Sequence, residues 1–406
     1  HSSPSMQIDS SGENTSVVIS NIYDILRLRD FRLFWAHTSL WTVGEVATFI
    51  GQGWLVLSLS GDSPLWVGVA SGMSGLGHIT CSLIGGILAD RRNRRVVIGL
   101  VALTRAAIFS MLAILILHDM VQLWHVLVIV CVQGGTIGIN APSFNGLIYD
   151  MVGPKRLMNG VAYTLTAFHI SWAVGSVLTG HLVNTTGIGA AYALAAFLCL
   201  LSIIPLTKIE AINSIEATKE PISQGILRGI KYVAKNRFLR VLLLLSILVE
   251  TFGFSYLMML PVIAKTVLAV GPKGLGYLSS AGGLGSIIGT VAVASLGDFK
   301  NKWKLLTIGT ACAGIGIFLF GSSPWYPLSL LLTGFIGFFL VTYDATINTL
   351  LQTVSEDDMR GRVLGLYGMT WGFTPLGGFV SGSVANIAGA PFAVALGGVV
   401  ILAYTL

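Results

Sequence analysis

Three carboxylates stand inside strongly apolar stretches of this 406-residue chain: Glu45 in TVGEVATF, Glu250 in ILVETFGF and Asp344 in LVTYDATI. A charged group placed at the centre of a bilayer costs roughly 2.5–3.5 kcal/mol on insertion scales, so each asks for a reason. Two kinds of chemistry are open to such a group. It binds a cation or exchanges a proton, or it is tied to neighbouring hydroxyls, or paired with Arg105, and helps hold helices together. Arg105, also within an apolar run, is either that structural partner or an anion contact. Spacing adds neighbours: Asp344 and Asn348 are four apart, and Gln133 and Asn140 seven apart, so each pair shares a helix face. His78 and His169 are lone histidines, better suited to ordinary bonding between helices than to a metal.

The elements that must position these groups are membrane helices. A mean hydropathy of +0.80, with 54% hydrophobic and 10% charged residues, lies outside the range of soluble globular chains. Apolar runs predict twelve spans, at 33–59, 64–89, 95–117, 121–143, 157–185, 187–206, 239–265, 273–297, 303–321, 325–350, 362–388 and 389–406. They divide the chain into a tail (1–29), a first six-helix bundle (30–206), a linker (207–237) and a second bundle (238–406). In the linker, Ile222, Ile226, Ile230 and Val233 recur at helical spacing, with Arg228, Lys231 and Lys235 on another face. That is the pattern of an amphipathic helix on the membrane surface, and a weaker one of the same kind runs from Val18 to Leu28.

The net charge of +6 is a topology signal and does not point to nucleic acid. With the N-terminus in the cytoplasm, 21 of the 24 lysines and arginines fall on that side, Lys265 and Lys273 on the other, and Arg105 within a span. Excess positive charge on cytoplasmic loops then places both termini inside the cell. The polar, Ser-rich start has no signal-peptide pattern. A chain that begins at His1 and stops at Leu406 inside a predicted span is expected to lack its natural ends. Cys81, Cys131, Cys199 and Cys312 have no metal or disulfide spacing and read as packing residues. The glycine run Gly283-Leu-Gly285 lies inside a span and carries no nucleotide-binding loop, so no cofactor is implied.

A frame of 27 residues occurs twice, 208 positions apart. Pro64, Gly68, Gly75, Gly77 and Asp90 recur as Pro272, Gly276, Gly283, Gly285 and Asp298, and Asn140 recurs as Asn348. Duplication in a chain this apolar points to two homologous halves around a path. The first copy ends in Gly86-Ile-Leu-Ala-Asp90-Arg91-Arg-Asn-Arg94-Arg95. Asp90 among these arginines could form a charge-paired lock between helices that breaks as the halves tilt, or the loop is simply a basic stop signal. The turn is expected to need a left-handed residue, which Asn93 can supply.

With this motif in place, the chain resembles the major facilitator superfamily, in particular its efflux branch of siderophore and multidrug or macrolide exporters. Asp30-Phe-Arg-Leu-Phe-Trp35, Gly44-Glu45, Asp62-Ser-Pro64, Asn348-Thr-Leu-Leu-Gln352 and Arg360-Gly-Arg-Val-Leu-Gly-Leu-Tyr367 carry the resemblance beyond the motif. Asn93 replaces a customary glycine, Gly175-Ser176 stands where antiporters of the superfamily often have Gly-Pro, and span 4 has no arginine. The resemblance implies an all-α integral membrane fold of twelve transmembrane helices in two pseudo-symmetric bundles. It further implies that spans 1, 4, 7 and 10 line a central cavity. Glu45, Glu250, Asp344 and Arg105 are then the coupling candidates. Gln52, Gln133, Asn140, Tyr256, Tyr343 and Asn348 become candidates for contact with substrate, and Gly86, Asp90, Arg91, Arg94, Arg95 and Asp298 for a cytoplasmic gate. Aromatic surface from Trp54, Phe252, Phe254 and Trp371 would suit an apolar cargo, although packing or lipid contact is the commoner use. The expected activity is export of an amphipathic small molecule by proton antiport, in a monomer within the cell membrane. The alternatives are an uptake permease or symporter and, more remotely, a membrane receptor or scaffold.

Overall fold

The computed structural model describes residues 25, 27–153, 156–210, 222–296 and 301–405. Six helices form the first half: α1 (Arg29–Leu59), α2 (Pro64–Arg91), α3 (Arg94–Leu117), α4 (Leu123–Val152), α5 (Leu157–Thr186) and α6 (Ile188–Thr207). The linker carries α7 (Ile222–Lys235). The second half opens with α8, which begins as Arg237–Leu248 and continues through a π turn at Val249–Phe254, a helical segment Tyr256–Val262 and a second π turn at Ile263–Val267. It is completed by α9 (Pro272–Ser295), α10 (Lys302–Ser322), α11 (Tyr326–Val354), α12 (Asp357–Thr370), α13 (Phe373–Ala388) and α14 (Ala390–Thr405).

Among the described residues nine helices are long and apolar enough to cross a membrane, and α2 makes a tenth as a bent pair of segments. The continuous pair α12–α13 and the shorter apolar α14 bring the crossings to twelve. The predicted spans recur with modest shifts. The helices of spans 4 and 10 run on to Val152 and Val354, past their apolar stretches, and span 11 begins at Asp357 and breaks at Trp371–Gly372. Hydropathy locates only the part of a helix that lies in lipid, so polar extensions beyond it are invisible to that signal.

The repeated glycines explain how the halves are built and joined. Within each half, α2 packs on α4 and α9 packs on α11 at backbone distance. A Cβ on Gly77 would come within 2.8 Å of the Gly135 nitrogen, and one on Gly285 within 3.0 Å of Gly334 Cα. Gly68 and Gly276 instead face the opposite half, where a Cβ would lie 2.9 Å from Gly382 Cα and 3.0 Å from Gly180 Cα respectively. The frame therefore carries two surfaces, one for its own bundle and one for its counterpart. Small residues at such crossings let backbones approach in lipid, where no hydrophobic force drives helices together.

α7 forms within the predicted linker, and the side chains of Ile222 and Ile226 lie outside the described residues. Val233 is buried and Gly229 packs against Leu366 and Arg362 of α12, while Leu227 and Ile230 are exposed. The Tyr232 hydroxyl accepts from the Glu356 backbone N–H at 3.2 Å. The linker helix thus leans on the second half. Most of the Val18–Leu28 segment and all of Asp298 lie outside the described residues.

Candidate functional site

The two halves meet toward one end. At the tip, Asp62, whose backbone is left-handed (φ 63°), pairs with Lys265 of α8, and the Lys265 ammonium also lies 5.6 Å from the centre of the Trp54 ring. Deeper in, Gly53 of α1 crosses α8 so closely that a Cβ would stand 2.7 Å from Pro261 Cβ. On one flank, α2 meets α13 from Gly68 against Gly382 down to Ile79 against Gly372, with the Ser71 hydroxyl donating to the Pro375 carbonyl at 2.8 Å. On the other flank, α5 meets α9. The Trp172 indole donates to Ser279 at 3.0 Å, the Ser176 hydroxyl to Ser279 at 2.9 Å, and His181 bonds Tyr277 at 3.0 Å. Among the described residues, every hydrogen bond and ion pair between the halves belongs to this zone, which reaches about 20 Å down each flank at 1.5 Å per residue. The opposite end carries Arg91–Arg95 and α7, and there the described partners of each half lie within that half or on the linker.

Below this closed zone lie the buried carboxylates, in two unlike settings. Glu45, about 21 Å from the end of α1, receives the Arg105 guanidinium at 2.5 Å. Arg105 is 1% exposed, with its guanidinium carbon 4.3 Å from the Trp41 ring centre and 5.5 Å from that of Phe109. Its Nε and Nη2 have no hydrogen-bond acceptor. Gln133 of α4 donates to Glu45 at 3.4 Å and to the Thr48 hydroxyl at 3.2 Å. The first half therefore holds an acid already neutralised by a base.

The second half holds acids with no base. Glu250, 4% exposed, lies in the π turn of α8, and the Thr374 hydroxyl of α13 donates to its Oε2. A π turn inserts an extra residue into the helix, a distortion that recurs at functional sites. Asp344 accepts from the Tyr367 hydroxyl of α12. Among the described residues no lysine, arginine or histidine pairs with either acid. The repeat offset shows why: the position 208 beyond Arg105 is Ala313. Glu250 itself falls three residues short of the position that the offset from Glu45 would give, which is Gly253.

This arrangement of two pseudo-symmetric six-helix halves, closed at one end over buried acids, belongs to a known class. The sequence matches the transmembrane secretion effector family over residues 21–406. The chain belongs to this family of major facilitator transporters. It is 24% identical to the enterobactin exporter EntS of Escherichia coli O1:K1 over 301 residues, which cover 74% of this chain and 72% of that one. The fold is shared with the nucleoside transporter NupG at a TM-score of 0.75 and 12% identity, over 93% of this chain and 98% of that structure. The human organic anion transporter MFSD10 superposes at a TM-score of 0.69 and 15% identity, again over 93% and 98%. The molecule is a multi-pass membrane transporter and not an enzyme.

The other sequence-derived candidates distribute unevenly in the transporter. Asn140 is buried with its Oδ1 unpaired, and so is the hydroxyl of Ser143 one turn on. Its repeat mate Asn348 accepts from Gln352 at 2.5 Å. Gln52 is half-buried beside the Gly53–Pro261 crossing and makes no hydrogen bond among the described residues. Tyr256 is buried with its ring edge toward Phe320. Tyr343 is fully buried. His78 and His169 form no hydrogen bonds among the described residues; the histidines that join helices are His181, bonded to Tyr277, and His37, whose Nδ1 lies 2.9 Å from the Ser202 carbonyl.

At the basic loop, Asn93 is not left-handed. Its φ is −59°, and its side chain accepts from the Arg95 backbone N–H to cap α3, so a side-chain cap replaces the expected backbone reversal. Asp90 ends α2 beside Gly86 and Arg91 and makes no ion pair among the described residues. The pair in this region joins Arg94 to Asp150 at 2.7 Å, with Arg94 also donating to the Gly146 carbonyl at 3.0 Å. Arg95 donates to the Ile209 carbonyl. These contacts tie the first half to itself and to the start of the linker. Asp150 escaped sequence reasoning because it lies beyond the apolar part of span 4, although its spacing of four from Gly146 puts both on one face.

Proposed function

We propose that this transporter exports an amphipathic small molecule, of siderophore or drug-like type, in exchange for protons. The observation that carries the reading is the pair of intramembrane carboxylates, the buried Glu250 and the half-buried, Arg105-paired Glu45, beneath a zone where the halves are closed. A buried acid costs least when neutral, so it can take up a proton from water in one open state, carry it neutral through the sealed state, and release it when a rocking motion opens the path to the other side. Glu250, without a counter-cation, is the better placed of the two. The 24% identity to an enterobactin exporter supports the direction and the cargo class.

The basic end then faces the cytoplasm, together with both termini, in line with the distribution of lysine and arginine. On this reading, a molecule closed at the opposite end would receive its cargo from inside the cell. Everted membrane vesicles containing the transporter should accumulate enterobactin when a proton gradient is imposed, and should release protons as they do so. Accumulation solely in right-side-out vesicles would overturn export, and transport indifferent to the gradient would overturn antiport.

A further inference from the structure

The basic end of the second half carries an aromatic pair that the first half lacks. α1 and α8 open at matching positions of the repeat, Arg29 and Arg237, and α3 and α10 at Arg94 and Lys302, each pair 208 apart. One residue on, the halves diverge. In the first half Asp30 accepts from the Glu210 backbone N–H at 3.3 Å and Arg95 donates to the Ile209 carbonyl, so two charged side chains hold the chain that leaves α6. Their mates in the second half are Phe238 and Trp303. These two rings lie 6.0 Å apart and stay 61% and 42% exposed. Cations surround them: Arg237 and Arg240 stand on either side of Phe238 in sequence, Lys302 and Lys304 on either side of Trp303, and Lys235 ends α7. Arg240 donates to the Ala234 carbonyl at 2.9 Å, and the Asn236 side chain accepts from the Phe238 and Leu239 N–H groups, which fixes α7 against the start of α8. Among the described residues none of these cations pairs with an acid; Asp298 and the side chains of Asp357 and Asp358 lie outside them. Arg237 and Lys302 also open their helices, where the dipole opposes a cation, so helix stability does not account for them.

We propose that this corner, built by Phe238 and Trp303 with Arg237, Arg240, Lys302 and Lys304, binds an anionic phospholipid. Depth and charge together select that occupant. α8 and α10 are both apolar enough to cross the membrane, so their first turns lie at headgroup level. An aromatic ring exposed there meets the glycerol and upper acyl region, and a cation beside it meets phosphate. The phosphate sits among the cations, and the glycerol and acyl base lie against the two rings. A zwitterionic headgroup brings its own ammonium and gains less from the same cations. The site is independent of what the transporter carries and of the direction in which it carries it.

The test reads the fluorescence of Trp303. The full chain is placed in phosphatidylcholine nanodiscs that contain brominated phosphatidylglycerol or brominated phosphatidylcholine at the same mole fraction. Bromine quenches an indole only at short range, and the Trp303 share is the difference between the wild type and Trp303→Phe. Brominated phosphatidylglycerol should quench that share about twofold or more beyond brominated phosphatidylcholine, an excess that high salt reduces. Arg237→Gln/Lys304→Gln should abolish the excess, each double variant being paired with its own Trp303→Phe form. Arg92→Gln/Arg156→Gln, which removes the same charge from the first half, should leave it. Equal quenching of wild-type Trp303 by the two lipids overturns the site, and that comparison needs no charge variant to fold. An excess that both double variants keep, or that both lose, overturns it as well, because it then does not belong to this corner. None of these results bears on export or antiport.

Discussion

Removing the Glu45 carboxylate by Glu45→Gln leaves Arg105 as an uncompensated buried cation. Breaking a buried pair from one side costs about 3–5 kcal/mol. The low end applies here, for two reasons. The Gln carbonyl still places a polar oxygen beside the guanidinium that lay 2.5 Å from Glu45, and the Trp41 and Phe109 faces remain beneath it. Against this, Arg105 is 1% exposed and two of its nitrogens already lack acceptors, so it has no second partner to turn to. A loss of about 3 kcal/mol is expected. Arg105→Met should cost less, about 2 kcal/mol, because Glu45 is 20% exposed and keeps its contact with Gln133. The double variant Glu45→Gln/Arg105→Met, which removes both charges and keeps similar volume, should return close to the wild type. Unfolding of the purified transporter in mixed micelles of rising SDS content reads these differences. Single-variant costs that simply add in the double variant, to within about 0.5 kcal/mol, would show that the two groups do not interact and refute the clamp.

Three further outcomes follow from the same geometry. Gly276→Val should push α9 away from Gly180 and weaken the closed end, seen as faster labelling of a cysteine introduced at Ser63; unchanged labelling and transport would contradict the packing. Lys265→Ala removes a partly exposed ion pair, worth about 1 kcal/mol at most, and should raise opening at that end by up to about fivefold, an effect that high salt mimics in the wild type. Arg94→Ala removes an ion pair to Asp150, whose side chain is 6% exposed, and should cost about 1–3 kcal/mol of stability, with partial recovery in Arg94→Ala/Asp150→Asn; equal stability of both variants would show the pair to be idle.

Hydropathy and charge asymmetry alone made the twelve crossings and their order legible, because a bilayer forces every spanning segment to be apolar over a set length. The repeated glycines were legible too, since close backbone crossings tolerate nothing larger and leave a spacing that can be read along the chain. Their division of labour was not. Gly77 and Gly285 face their own bundle while Gly68 and Gly276 face the opposite one, a difference that exists only when both halves are assembled. The acids show the same boundary. That Glu45, Glu250 and Asp344 needed a reason to sit in lipid followed from their type and surroundings. Which of them is neutralised depended on Arg105, sixty residues from Glu45 in sequence, reaching across from α3 to α1. Ion pairs and hydroxyl contacts between helices have no sequence period, because helix rotation and crossing decide which side chains converge. Tertiary structure therefore paired the acid of one half with a base and gave the acids of the other only hydroxyl partners.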